Sequence, residues 1–215
     1  MSELTVEQIE SNWNKYCSFF EKIGDRKNDA RRVLEAVGEH LASAPASSRK
    51  HHHNAFPGGL VDHSLRVLKN ALRLRKTFEI FNELPEESIV LSCLFHDLGK
   101  ACHVNDDNTT LENYVENKSE WHREKQGKLY SMGERTEDEK PIFRHMENND
   151  RSLFICQKFG LKLTQDEFLA IKLNDGLFDE SNWKYKGNEP LLAMCVHMAD
   201  YIATTDEKKK AGYRL

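Results

Sequence analysis

Apolar side chains recur every three or four positions along most of the chain, and this spacing predicts α-helices. The first stretch begins after Thr5, which has Gln8 three residues later in the arrangement of an N-terminal capping box, and it ends near Gly24. A second stretch covers residues 29–44 and stops at Pro45, because proline cannot continue a helix. We therefore predict that residues 1–44 form an N-terminal helical extension packed on the core.

The helical spacing continues in the second half of the chain. Residues 60–81 form one amphipathic stretch, and the next begins at Pro85, whose fixed φ suits a first helical turn. Three further stretches cover residues 152–159, 164–173 and 189–209. The predicted fold is all-α, with residues 45–215 forming a single helical bundle that carries the chemistry.

One polar segment interrupts this pattern. Residues 104–139 are poorly periodic, and only Trp121-His122 and residues 128–130, on either side of Gln126-Gly127, indicate a short β-hairpin. We interpret the segment as an insertion near the site. It adds at most one small β-hairpin to the predicted bundle.

Charge and cysteine content narrow the class of protein. The net charge of −4 gives no general attraction for nucleic acid, so a nucleic-acid partner is the less favoured alternative. The five cysteines include no Cys-x-x-Cys pair, which argues against a disulfide framework or a thiolate zinc site. The first residues contain no basic and apolar leader, and no apolar run approaches the roughly 20 residues of a spanning helix. We expect a cytoplasmic protein without membrane contact, in the host cytoplasm if it is viral.

The pair His96-Asp97, at the end of the apolar run 88–95, is the most informative chemical feature. Adjacent helical residues point about 100° apart, so the two side chains can hold one ion only if other segments supply ligands. His63 upstream and Asp200 downstream are the candidates. Two imidazoles and two carboxylates suit Mn²⁺, Fe²⁺, Co²⁺, Ni²⁺, Zn²⁺ or Mg²⁺ and leave positions for water and phosphate oxygens.

An isolated histidine, a His-Asp pair and a distant aspartate together resemble the HD superfamily of metal-dependent phosphohydrolases. The resemblance covers roughly residues 44–208, and residues 44–48 with His53 and Gly58-Gly59 are similar to bacterial and phage HD proteins. It implies a helical HD domain that activates water with a divalent metal ion. It also implies the metal ligands, which are His63, His96, Asp97 and Asp200.

The same resemblance bears on the number of ions. Relatives with two metals carry further histidines where this chain has Asn148 and Asn174. Because amides are weak ligands for transition metals, we expect one ion per chain. His145 becomes an alternative second-metal or site-lining residue if the register shifts by three positions.

Other candidates lie close to the predicted ligands. Asp97 is expected to position the attacking water as well as to bind metal. Lys100 either neutralises the substrate phosphate or only complements the helix dipole. His53 either contacts substrate or packs in its loop, and Arg66 either binds substrate or belongs to a solvated basic stripe.

Three functions remain open from the sequence. The favoured one is hydrolysis of a phosphoester bond in a nucleotide or similar small phosphoester by a metal-activated water. The second is a 3′-to-5′ exonuclease acting on single-stranded nucleic acid, for which no OB-like module is visible in the sequence. The third is a non-catalytic regulatory protein that binds metal or nucleotide. The sequence leaves homo-oligomerisation open.

Overall fold

The computed structural model describes residues 4–132 and 144–213. Its helices are α1 (Val6–Ser18), α2 (Lys27–Ser43), α3 (Gly59–Thr77), α4 (Glu86–Phe95), α5 (Glu120–Lys125), α6 (Asn148–Lys158), α7 (Gln165–Lys172) and α8 (Leu191–Lys210). The strands of the described part are β1 (Cys102–Val104), β2 (Thr110–Glu112), β3 (Tyr114–Glu116) and β4 (Tyr130–Met132). The predicted all-α class is confirmed. No described helix is long and apolar enough to cross a bilayer.

The helix starts follow from local sequence. Thr5 accepts a hydrogen bond from the Gln8 amide, and the Gln8 side chain accepts one from the Thr5 amide, as the predicted capping box requires. Thr164 and Glu167 form a second capping box at the start of α7. These reciprocal bonds satisfy amides that have no partner within the helix.

Helix α3 lies at the centre and packs against α8, α4, α1 and α2. The N-terminal helices contribute to the same buried core as the rest of the chain. Tyr16 is fully buried and donates a hydrogen bond to the Leu94 carbonyl at 2.6 Å, and Phe20 stacks on Phe95 with ring centroids 5.8 Å apart. A domain boundary at residue 44 stays a prediction.

A charged anchor also joins the N-terminal part to α7. Arg26, in the 3₁₀ turn Gly24–Arg26, donates from its two Nη atoms to the fully buried carboxylate of Glu167, at 2.6 and 2.8 Å. This bidentate geometry is the strongest form of ion pair between these groups.

The expected single hairpin around Gln126-Gly127 needs two corrections, because Trp121-His122 is helical and a second strand pair forms. Two antiparallel strand pairs form in this region, β1 with β2 and β3 with β4. Trp121 and His122 instead lie on α5, because Ser119 caps that helix by accepting a hydrogen bond from the His122 amide. Each strand is only three residues long, too short for a clear two-residue alternation in the sequence.

Candidate metal centre

His63, in the second turn of α3, is fully buried and both of its ring nitrogens face carboxylates. Its Nε2 lies 2.9 Å from Asp200 Oδ1 and 3.7 Å from Asp97 Oδ2. On the other side of the ring, Nδ1 lies 3.1 and 3.3 Å from the two carboxylate oxygens of Glu207. Since α8 carries both Asp200 and Glu207, two turns apart, one helix contacts both nitrogens of this ring.

The end of α4 explains how two adjacent side chains converge. Helix α4 ends at Phe95, and Asp97 leaves the helical path with φ −108° and ψ 13°. His96 donates from Nδ1 to the Cys93 carbonyl at 2.8 Å, which leaves its Nε2 3.4 Å from Asp97 Oδ2. Both histidines therefore present Nε2 to the same carboxylates, with the tautomer fixed by the partner of Nδ1.

The donor set fits a divalent cation. The Nε2 atoms of His63 and His96 are buried and make no aligned hydrogen bond within the described part of the chain. Ligand atoms of His63, His96 and Asp200 all lie within 4.8 Å of one another, and so do those of His53, His63 and Asp97. Buried polar atoms normally have well-aligned partners, so two imidazole nitrogens that converge on carboxylates without aligned hydrogen bonds indicate a place for an ion.

The charges at the cluster compensate one another. Burial opposes a charge on His63, but Glu207 and Asp200 outweigh it and raise its pKa to about 10. Burial likewise opposes ionisation of Asp97, but Lys100 and His96 hold its pKa well below the usual range, and contact with His63 lowers the pKa of Asp200 to about 2. Both carboxylates are thus ionised at neutral pH, and an ion that binds Nε2 must displace a proton from His63.

Helix α6 braces the turn that follows the His-Asp pair. The Ser152 hydroxyl accepts a hydrogen bond from the Gly99 amide at 2.8 Å and donates to the His96 carbonyl at 3.1 Å. Buried Arg151 donates to the Gly99 carbonyl at 2.7 Å. A Cβ at residue 99 would collide with the Asn148 carbonyl, so only glycine allows this approach. The bracing holds His96 and Asp97 in a fixed orientation.

Comparison with protein-family models decides the family. The model described as the HD domain matches residues 60–205, which include His63, His96, Asp97 and Asp200. The chain belongs to the HD domain family. No curated protein and no solved structure matches it significantly. HD domains are typically metal-dependent hydrolases that bind divalent ions, and the His/Asp cluster of this HD domain is compatible with that chemistry.

His53 lies inside the cluster of this HD domain, unlike its exposed neighbours His51 and His52. Its ring centroid is 4.6 Å from that of His63, and its Nε2 is buried without a partner among the described residues. Burial, followed by the nearby charge of His63, holds the pKa of His53 well below its usual value. A neutral imidazole beside the two ligand histidines can accept a proton or bind a cation.

Lys100 and Arg66 differ in what they contact. Lys100 is mostly buried and donates to Asp97 Oδ2 at 2.6 Å. Burial opposes its charge, but Asp97 outweighs it and raises the pKa of Lys100. Arg66 instead binds Asp62 Oδ2 at 2.7 Å and approaches Glu207 at 3.6 Å. Arg66 therefore lies on the Nδ1 side of the His63 ring, opposite the Nε2 side where the HD cluster forms.

The three residues predicted for a second metal differ in their surroundings. His145 is 80% exposed and contacts Glu147, so the structure does not bring it into the buried cluster. The side-chain oxygens of Asn148 and Asn174 are buried without a hydrogen-bond partner in the described ranges. A role of these two amides in holding a second ion stays a prediction.

Three residues at the HD centre were missed by sequence reasoning. Glu207 lies seven residues after Asp200 on α8, a spacing that shares one helix face and could have revealed it. Asp175 is an exposed residue whose carboxyl is nevertheless partly desolvated, and its pKa is raised by that desolvation first and then by the charge of Asp97. Tyr114, from β3, is buried and interacts electrostatically with Lys100. The last two come from segments without clear periodicity.

Proposed function

We propose that this protein hydrolyses a phosphoester bond in a small phosphorylated substrate, with a nucleotide as the expected class. One divalent ion per chain would be held by His63, His96, Asp97 and Asp200. The observation that carries the proposal is the pair of buried Nε2 atoms, of His63 and His96, that face two ionised carboxylates. This is a mixed nitrogen and oxygen site of the kind that binds catalytic divalent ions.

A divalent ion at such a site lowers the pKa of a bound water and neutralises charge on the phosphoryl group. The residues around it supply orientation and charge. Cys93 and Glu207 hold the Nδ1 atoms of the two histidines, so that both Nε2 atoms point to the cluster. Asp97, ionised and close to both Nε2 atoms, is placed to orient the attacking water.

In our proposal, Lys100 supplies a positive charge beside Asp97. Its ammonium lies 2.6 Å from Asp97 and its raised pKa keeps it protonated at neutral pH. A substrate phosphate that approaches Asp97 therefore meets a fixed positive charge. A preorganised cation of this kind stabilises the charge that develops on the phosphoryl oxygens in the transition state.

The test is phosphate release from nucleotides, cyclic dinucleotides, sugar phosphates and short oligonucleotides in the presence of Mn²⁺. We expect turnover of a small phosphoester that requires the metal and is lost in Asp97→Ala. The matched control is Asp106→Ala, which removes an exposed aspartate in the loop between β1 and β2. Preference for oligonucleotides would favour the exonuclease, and no turnover with any metal would favour a binding role.

A further inference from the structure

A cavity of about 380 Å³ opens between the turn after α7 and the first half of α8. Most of its walls are apolar or aromatic, and they include Leu173, Leu177, Phe178, Tyr185, Ala193 and Met194. Small-molecule pockets span roughly 300–1,000 Å³ and are mainly apolar with a few polar groups. The size and lining therefore suit one flat, heterocyclic group.

The cavity lies beside the metal centre. Along α8, His197 precedes Asp200 by three residues and Tyr201 follows it directly, so their backbones lie within roughly 5 Å of Asp200 along the helix axis. In the preceding turn, Gly176 lines the cavity and follows Asp175, whose carboxyl interacts electrostatically with Asp97. A ligand at the metal centre therefore needs only a short link to reach the cavity.

Three aromatic rings cluster at this place; the planes of Phe178 and Tyr201 are nearly parallel, whereas the His197 ring is inclined to them by 52° and 38°. Phe178 is 77% exposed and stacks on Tyr201 with centroids 5.7 Å apart and planes inclined by 17°. The His197 ring lies 5.9 Å from Phe178 and 6.5 Å from Tyr201. Because Phe178 and Tyr201 remain largely exposed, they contribute little to the core. Exposed aromatic rings of this kind are surfaces on which nucleobases stack.

The polar groups of the cavity indicate which part of a substrate enters it. His197 donates from Nδ1 to the Asn174 carbonyl at 2.7 Å, which leaves Nε2 as the acceptor of the neutral ring. A Cβ at residue 176 would collide with this ring, so glycine is needed there. Glu189 also lines the cavity, and its carboxylate repels a phosphate but accepts from an amino group.

We propose that this cavity binds the nucleobase of a nucleoside phosphate whose phosphate lies at the metal centre. The position of the phosphate in this proposal rests on the proposed function. If the cavity binds the base, the enzyme prefers nucleoside phosphates to sugar phosphates. The acceptors at His197 and Glu189 favour bases with an exocyclic amino group.

The test compares wild type, Phe178→Ala and the matched control Phe168→Ala, which truncates an exposed phenylalanine on α7 that does not line this cavity. Binding of the four nucleosides and of ribose is measured by calorimetry on metal-free protein in a chelating buffer, because without the ion the ionised Asp97 and Asp200 would repel a phosphate. Stacking on one ring accounts for about a 5- to 140-fold change in affinity. We expect a loss in that range for at least one nucleoside in Phe178→Ala only, and no change for ribose.

The outcomes separate the two proposals. Binding that depends on the base and on Phe178, in a protein that hydrolyses no phosphoester, supports the cavity and refutes the proposed function. Phosphoester hydrolysis that is indifferent to the base and to Phe178 overturns the cavity proposal and leaves the function standing. A dimer in sedimentation experiments that Phe178→Ala dissociates, with no effect of nucleosides, also overturns it, because a second copy then covers the rings.

Discussion

Replacing Glu207 by glutamine removes the one fully buried carboxylate that faces Nδ1 of His63 while keeping the size of the side chain. Both oxygens of Glu207 lie within 3.3 Å of that nitrogen. Changes to the partner of a metal-binding histidine typically cost about 10- to 100-fold in metal affinity. Because the amide oxygen of glutamine can still accept the hydrogen bond, we expect Glu207→Gln to weaken Mn²⁺ binding about tenfold, or roughly 1.4 kcal/mol.

A second variant, Glu207→Ala, tests the same contact more severely. Glu207→Ala removes both the charge and the acceptor, so we expect a loss near the upper end of the range, about 100-fold or 2.7 kcal/mol. The matched control is Asp206→Asn, which removes the neighbouring carboxylate. Asp206 is about half exposed and pairs with Lys210 on the surface, at 2.5 Å. An exposed pair of this kind contributes little, so we expect less than a twofold change.

The assay is competition for Mn²⁺ between each variant and a chelating dye, with urea unfolding as the test that the variant is folded. Equal Mn²⁺ affinity of wild type and both Glu207 variants, with all proteins folded, would refute the reasoning. It would mean that Glu207 does not position His63 for metal. An effect of Asp206→Asn as large as that of Glu207→Gln would show that net charge, rather than the contact with Nδ1, sets the affinity.

Three further predictions follow from the structure. Gly99→Ala should lower the urea-unfolding free energy by about 1–3 kcal/mol, because its Cβ overlaps the Asn148 carbonyl, and unchanged stability would contradict the close approach of α6. Arg26→Met should cost about 3–5 kcal/mol in the same assay by leaving Glu167 buried and unpaired, and a loss below 1 kcal/mol would contradict that anchor. Lys100→Met should lower kcat about 100-fold without weakening Mn²⁺ binding, and an unchanged kcat would exclude Lys100 from phosphate stabilisation.

The sequence was sufficient for the helices other than α5 and for the choice of candidate ligands, because both depend on strong local signals. His63 lies on the buried face of the amphipathic helix α3, and His96 directly follows the apolar run of α4. Asp200 is recognised by its place in the family pattern. The convergence of His63, His96 and Asp200 then follows from the packing of α3, α4 and α8.

The burial of Glu207, the cluster of aromatic rings and the short strands could not be predicted from local sequence signals. Glu207 precedes three lysines, and its sequence surroundings indicate a polar, exposed helix end, yet its side chain is fully buried against His63. Its spacing of seven residues from Asp200 favours the same helix face, but only the tertiary contact between α3 and α8 shows that its carboxylate reaches His63. The rings of Phe178 and His197 come together from an irregular turn and a helix, and no periodic signal connects them. Short strands such as β3 depend on partners distant in the sequence.

The most direct measurement is anomalous diffraction at the manganese edge from crystals of the protein grown with Mn²⁺. The account predicts one peak per chain within coordination distance, roughly 2.0–2.3 Å, of Nε2 of His63 and His96 and of carboxylate oxygens of Asp97 and Asp200. A fully occupied peak elsewhere, or no peak between these four side chains at saturating Mn²⁺, would contradict it.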